Sequence, residues 1–417
     1  MRPAPAPRRP ASPSVLRRLN STLVLETIRQ DGPRSRAALA RATGLSKPTV
    51  NQVVELLLER GFVEETADAA DGPRRPGPRA RHLRFRAEIG HVLGIDIGSD
   101  KTLALVSDLS GRIVASARRE LSGRAGRDAV LAAAVAVAQD AVAVAGLRRE
   151  DIRVAGVGTP GVVDPAGGRI SLAPQIAGWD GLELGRHLED LLGCPVVADN
   201  EARLSLLAEC WRGAAGAVQH VAYVQVGIGI GGALLLEGRL YRGKSGAAGE
   251  ISYLLDVQDA DDDAPGDTPT GSFERVAGGR AYARLGAAAA AGPGGALLRR
   301  LAGGDPAAVS AQTVFAAAAR GDASAQRIVD ELTTRLGRGV ANVATVVDPE
   351  LVVLGGGIAN AGAALLEPVA RIVRETVPFP PPIVLSELGD DVAALGAVRQ
   401  ALDAADELLF TFEAAGG

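Results

Sequence analysis

Three times along this 417-residue chain a β-branched run ends in a glycine-rich turn, at VLGIDIG (92–98), VGIGIGG (226–232) and VLGGGIA (353–359). Such runs read as strands, and the Ala-rich stretches between them read as helices. From Glu88 onward the chain is therefore predicted to be α/β, opening on a β-hairpin and continuing into a helix over roughly 127–145. The texture recurs from QHVAYVQV onward, so the two halves look like a loosely repeated unit. Each turn also carries chemistry. Glycine lets backbone N–H groups approach a phosphate, which makes Gly98, Gly227, Gly229, Gly355 and Gly356 candidate nucleotide-loop residues. Asp96, expected on the first turn, would be available to a metal.

The first 86 residues follow another period. Leu16, Leu19, Leu23, Val24 and Ile28, then Leu39, then Val50, Val53, Val54, Leu57 and Leu58 recur at helical spacing and predict three helices. DGP at 31–33 ends the first helix, and Thr43-Gly44-Leu45 makes a tight turn between the second and third, which is the helix-turn-helix arrangement. Ser46 is the expected N-cap of the third helix, Pro48 sits in its first turn and Gly61 lies just past its end. GFVEE and HLRFR (82–86) read as two short strands around a loop. Residues 14–86 are thus predicted to form a winged helix-turn-helix, preceded by a flexible, basic, Pro-rich arm over 1–13 that lacks the apolar run of a signal peptide.

On the third helix Lys47, Thr49, Asn51, Gln52 and Glu55 lie off the apolar stripe, on the face a major groove would meet. Asn51 and Gln52 can pair bidentately with adenine, while Ser46, Lys47 and Thr49 suit phosphates or base edges near the helix start. Arg36 joins them as a DNA-binding candidate. In the wing, the stiff run RRPGPR (74–79) offers Arg75 and Arg79 either to a narrow minor groove or to phosphates without sequence preference. Charge supports this division: residues 1–86 carry +9 and the remainder −13, which together give the net −4. A basic head on an acidic body is expected when only one part meets a polyanion.

With 47% apolar and 23% charged residues the body is an ordinary globular chain, and no window reaches the ~18 consecutive apolar residues of a spanning helix. A membrane role is not expected, and the predicted location is the cytoplasm. Cys194 and Cys210 are too few and too far apart for a zinc site or a disulfide framework, and read as buried small apolar residues.

Head and body together resemble the ROK family (repressor, open reading frame, kinase). The resemblance rests on GIDIG, GVGTPGVVDP (156–165), GWDGLELGRHLEDLLGCPVVADNEARLSLLAE (178–209), GIGIGG, GRLYRGKSGAAGEI (238–251) and VLGGGIANAG. A helix-turn-helix before a sugar-kinase-like body is the mark of the family's transcriptional regulators. The resemblance implies an actin-like ATPase, or hexokinase-like, body of two ribonuclease-H-like lobes around a cleft. Residues 87–200 with a C-terminal helix at 391–410 would form lobe I, and 201–390 lobe II.

Carried over position by position, the family's sugar contacts fall on Gly161, Asn200, Glu250 and Glu274. Glu201 stands where the family has the Asp that takes the proton from the attacking hydroxyl, and Tyr253 stands in for a zinc-binding His. Carboxylates and an amide suit sugar hydroxyls in a buried cleft. The departures point away from catalysis. Glu201 is one methylene too long, DIGGTK has become DIGSDK with Asp100 beside the phosphate path, and GTGIGGG has become GIGIGGA. The zinc Cys partners are missing, and the acidic stretch with Asp261, Asp262 and Asp263 stands in that region. No metal, no cofactor and no catalytic residue is therefore expected. The leading reading is a sugar- or sugar-phosphate-responsive repressor, binding a palindromic double-stranded operator as a homodimer or higher homo-oligomer. A DNA-binding sugar kinase, and a regulator with a vestigial cleft that answers to a protein partner, are the alternatives.

Overall fold

The computed structural model describes residues 13–66, 81–122, 125–164, 168–255 and 271–411. Arg75, Arg79, the N-terminal arm before Pro13 and Asp261–Asp263 lie outside the described residues.

The head comprises α1 (Pro13–Asp31), α2 (Arg36–Thr43) and α3 (Lys47–Glu59) against a small sheet of β1 (Arg34–Ser35), β2 (Val63–Thr66) and β3 (His82–Phe85), with β3 in the middle. Local chemistry sets its corners. Ser35 caps α2 and Ser46 caps α3, each accepting from the backbone N–H three residues on. Between these helices Gly44 adopts φ 69°, a left-handed conformation that costs glycine little. The apolar stripe Val50, Val53, Val54 and Leu57 turns inward onto Val24, Ile28 and Leu39.

Lobe I is a five-stranded sheet in the order β10-β7-β4-β5-β6, built from β4 (His91–Ile97), β5 (Lys101–Asp108), β6 (Ile113–Glu120), β7 (Ile152–Thr159) and β10 (Val196–Asn200). A two-stranded ribbon of β8 (Val162–Val163) and β9 (Ile170–Ser171) extends it, and α4 (Arg127–Val144) and α5 (Leu184–Leu192) contribute to its core. After α6 (Glu201–Arg212) lobe II repeats the plan. Its sheet of β11 (Val221–Val226), β12 (Ile230–Leu236), β13 (Arg239–Leu240), β14 (Leu351–Gly355) and β15 (Ile383–Leu385) runs β13-β12-β11-β14-β15. In both lobes a meander of antiparallel strands is followed by two strands parallel to its first one, which is the physical content of the loose sequence repeat. The helices of lobe II are α7 (Ser272–Ala277), α8 (Gly279–Ala291), α9 (Ala296–Leu301), α10 (Ala311–Ala319), α11 (Ala323–Val347) and α12 (Ala363–Thr376).

The last helix, α13 (Val392–Thr411), returns to lobe I and lies on β4, β7 and α6. It sits in backbone contact there. A Cβ at Gly156 would stand 2.0 Å from the Ala397 carbonyl oxygen, and one at Gly396 would stand 1.8 Å from that of Leu204. At the predicted break between residues 200 and 201, α6 begins and packs on both lobes. One side packs on α13, while Ala202 and Leu206 share a core with Val221, Tyr223 and Ala233 of lobe II. Among the described residues no helix is long and apolar enough to cross a membrane.

Candidate functional site: a DNA-facing helix and an interlobe cleft

Lys47, Asn51, Gln52 and Glu55 are exposed on α3, opposite its buried stripe. Three members of the predicted DNA-binding set, Arg36, Ser46 and Thr49, also make hydrogen bonds within the head. Arg36 donates to Glu55 at 2.7 Å and to Glu65 at 3.0 Å, so it braces α2 against α3 and the wing strand rather than standing ready for phosphate. Glu55 stays exposed on the same face of α3 while making that pair. Ser46 Oγ accepts from the Thr49 N–H at 3.3 Å and shares a 2.8 Å hydrogen bond with the Thr49 hydroxyl, so both hydroxyls serve the cap first.

A cleft of about 410 Å³ lies between the lobes. It brings together the predicted Gly161, Asn200, Glu201, Glu250, Tyr253 and Glu274 with Asp96, Gly98, Gly227, Gly229 and Gly356. Gly355 is not among its walls: its backbone faces the Tyr223 ring, whose hydroxyl oxygen would lie 2.1 Å from an added Cβ. Asp96 is likewise not on the turn. It pairs with Leu103 inside β4, where its Oδ1 is buried with no partner, and the hairpin turn begins at Gly98, whose N–H donates to the Lys101 carbonyl.

Asn200 is the N-cap of α6. Its Oδ1 accepts from the Ala202 and Arg203 N–H groups and its Nδ2 donates to the Gly161 carbonyl at 2.9 Å, which ties α6 to the β7–β8 turn. Glu201 follows in the first turn of α6 and accepts from Gln225 Nε2 at 3.1 Å across the cleft. Burial, reinforced by Asp96, lifts its carboxyl from the ordinary 4.5 to about 8, and burial lifts Asp96 from 3.8 to about 6. At neutral pH Glu201 is therefore mostly a neutral acid able to donate a hydrogen bond.

Glu274 is 5% exposed; it accepts from the Ile230 N–H at 3.1 Å and meets Arg280 at 3.5 Å. Burial raises the Glu250 carboxyl against the pull of Arg203. Tyr253 is 43% exposed at the rim.

Several residues that shape this site were not singled out by sequence. Asp199 accepts from the Asn200 N–H, faces Arg203 at 3.1 Å and takes Arg242 at 2.7 Å; Arg203 in turn donates to the Gly246 carbonyl. This network pins the loop that carries Glu250 onto the end of β10. Lys101, at the mouth of the first glycine turn, is held by Asp390 at 3.0 Å. Nothing local announces either pairing: Asp199 lies at the end of a strand and Arg203 in the helix after it, so their i, i+4 spacing is not the helical one, and Asp390 is remote in sequence.

A zinc site of the kind the family implies does not fit these residues. Tyr253 stands where the resemblance puts the His, Cys194 is buried just before β10 and Cys210 lies on α6. Among the described residues no three His, Cys, Asp or Glu side chains are grouped to hold a metal ion.

A winged helix-turn-helix joined to a two-lobed, kinase-like body with a carboxylate-rich cleft defines a class in which a DNA-binding head is carried by a sugar-kinase fold. Comparison with known proteins places the chain within it. Residues 92–404 match the ROK family and residues 18–72 the MarR family. The chain belongs to the ROK family. It is 30% identical over 272 residues to a putative xylose repressor of Caldicellulosiruptor sp. (strain Rt8B.4), covering 65% of this chain and 67% of that protein. The matches to other curated relatives span only 58 to 62% of their lengths.

Among solved structures, a ROK family transcriptional regulator described as a homolog of the E. coli MLC protein superposes with a TM-score of 0.75 at 24% identity, over 95% of this chain and 98% of that one. That likeness shows the fold. A ROK family glucokinase from Streptomyces griseus, in complex with glucose and AMPPNP, superposes with a TM-score of 0.65 at 29% identity over 75% of this chain and all of that one.

Proposed function

We propose that this chain is a sugar-responsive, DNA-binding transcriptional regulator, a repressor of carbohydrate uptake or catabolism genes. In this reading it works in the cytoplasm as a homodimer on a palindromic operator. The observation that carries the proposal is the joining, in one chain, of an α3 face bearing exposed Lys47, Asn51 and Gln52 to a cleft suited to hydroxyls rather than to phosphoryl transfer. The names of the relatives agree with it.

The charge inside the cleft supports a neutral sugar as the effector. Asp96, Asp100, Glu201, Glu250, Glu274 and Asp390 line it, whereas its two lining cations, Lys101 and Arg280, are already paired with Asp390 and Glu274. A phosphate dianion entering that field finds no free cation and several acids, while a neutral sugar finds donors and acceptors. The same field disfavours a nucleotide triphosphate. Glu201, mostly protonated and turned to Gln225, is poorly placed to accept a proton from an attacking hydroxyl.

The glucokinase likeness favours a second reading, a kinase that also binds DNA. Two assays decide. Gel-shift titrations should show operator binding weakened by a neutral aldose and unaffected by its 6-phosphate, and a coupled assay should show no sugar-dependent ATP consumption. Turnover on the order of 1 per second with any hexose would install the kinase reading. Absence of DNA binding would overturn the regulator.

A further inference from the structure

We propose that α13 is the lever by which the cleft governs the DNA head, and that the ion pair between Arg29 of α1 and Asp406 of α13 is the latch joining the two; this rests on the regulator reading above.

One end of α13 belongs to the cleft. Val392 and Ala393 line it, and Asp390, just before the helix, is held there by Lys101 at 3.0 Å and Arg118 at 3.2 Å. The other end belongs to the head. Asp406 accepts two hydrogen bonds from Arg29, at 2.7 and 2.9 Å, with side-chain exposures of 18% and 15%. The same guanidinium lies 4.7 Å from the centre of the Phe85 ring on β3. Arg29 thus gathers the first helix of the head, its wing strand and the last helix of the body.

Between the ends, the buried face of α13, with Ala394, Val398, Ala401, Leu402 and Ala405, lies in one continuous apolar core with Val24, Leu25, Ile28 and Leu57 of the head. Fourteen helical steps separate Val392 from Asp406, a span of about 21 Å at the helical rise. A rigid element reaching from one site to the other is what coupling requires, provided both ends bias its position.

The contact through which the cleft would move it is the one between α13 and α6. Gly396 brings α13 against the Leu204 carbonyl of α6, and α6 begins at Asn200 and Glu201 in the cleft. With no side chain between the two backbones, a shift of the start of α6 on sugar binding has no soft layer to absorb it. Removing one partner of a mostly buried ion pair leaves a charge unpaired and costs stability, so the exchanged pair, which keeps both charges, is the variant that separates coupling from folding.

The experiment uses the full-length chain and its operator, titrated with and without a saturating neutral aldose. In Asp406→Ala and in Arg29→Ala, sugar affinity by thermal shift and operator affinity without sugar should stay within about threefold of the parent. The sugar-induced fall in operator affinity should shrink to less than twofold. The exchanged pair Arg29→Asp with Asp406→Arg should recover most of the response. A parent that responds beside an Asp406→Ala chain that responds equally overturns the coupling alone. Loss in both single variants without recovery on exchange assigns the effect to local packing and overturns it too. A parent that ignores every sugar overturns the regulator reading and this inference together.

Discussion

Replacing Glu201 by Gln should remove a pH-dependent weakness from the protein. In the folded chain this carboxyl is lifted from 4.5 to about 8, first by burial and then by Asp96. Between those values the unfolded chain has released the proton and the folded chain still holds it, so stability falls as pH rises from 4.5 toward 8 and levels off above. At about 1.4 kcal/mol per pH unit the full span corresponds to about 5 kcal/mol. That is an upper bound, because Glu201 sits in the first turn of α6, where the positive end of the helix favours its charged form by about 0.5 to 1 kcal/mol. Water in the cleft screens it further. The expected loss from pH 5 to pH 8.5 is therefore about 2 to 3 kcal/mol in the parent.

The Gln variant keeps the contact with Gln225 and cannot ionise, so it should lose only the smaller part due to Asp96, which titrates near 6 and is complete below pH 8. Urea unfolding followed by the fluorescence of Trp179 and Trp211, repeated at half-unit pH steps, reads both curves. If the parent is flat over this range, or the two chains fall in parallel between pH 6.5 and 8.5, the argument about Glu201 is wrong.

Asn51→Ala and Gln52→Ala should each weaken operator binding by about 1 to 3 kcal/mol and relax one position per half-site, whereas Arg75→Ala or Arg79→Ala should weaken all sequences alike and flatten the salt dependence; gel shifts on specific and scrambled duplexes at two salt concentrations separate the two patterns. Glu250→Ala should leave operator affinity intact while abolishing the thermal shift given by a neutral sugar, and a retained shift would remove Glu250 from the site. Gly156→Ala places a methyl 2.0 Å from the Ala397 carbonyl oxygen and should cost about 1 to 3 kcal/mol of stability as α13 is pushed off the sheet; an unfolding midpoint equal to the parent's would contradict that packing.

What could be read from the sequence alone was local. The helices of the head, the cap at Ser46, the turn at Gly44 and the three strand-to-glycine turns all follow from side-chain periodicity and backbone preference within a few residues. Those forces act at short range, and they leave the same trace in any chain that folds this way. The grouping of Asn200, Glu201, Glu250 and Glu274 was reachable only through resemblance, because nothing in their spacing says that four segments meet.

The rest required segments far apart in sequence to approach one another. Arg36 looked free for DNA until the fold set Glu55 and Glu65 against it. Lys101 was neutralised by an acid nearly 300 positions away, and Arg29 by one 377 positions away. Whether Glu201 is a base or an acid was also a tertiary decision: the protonation of a carboxyl depends on how much water and how much neighbouring charge surround it, and both are fixed only when two lobes close over one helix end.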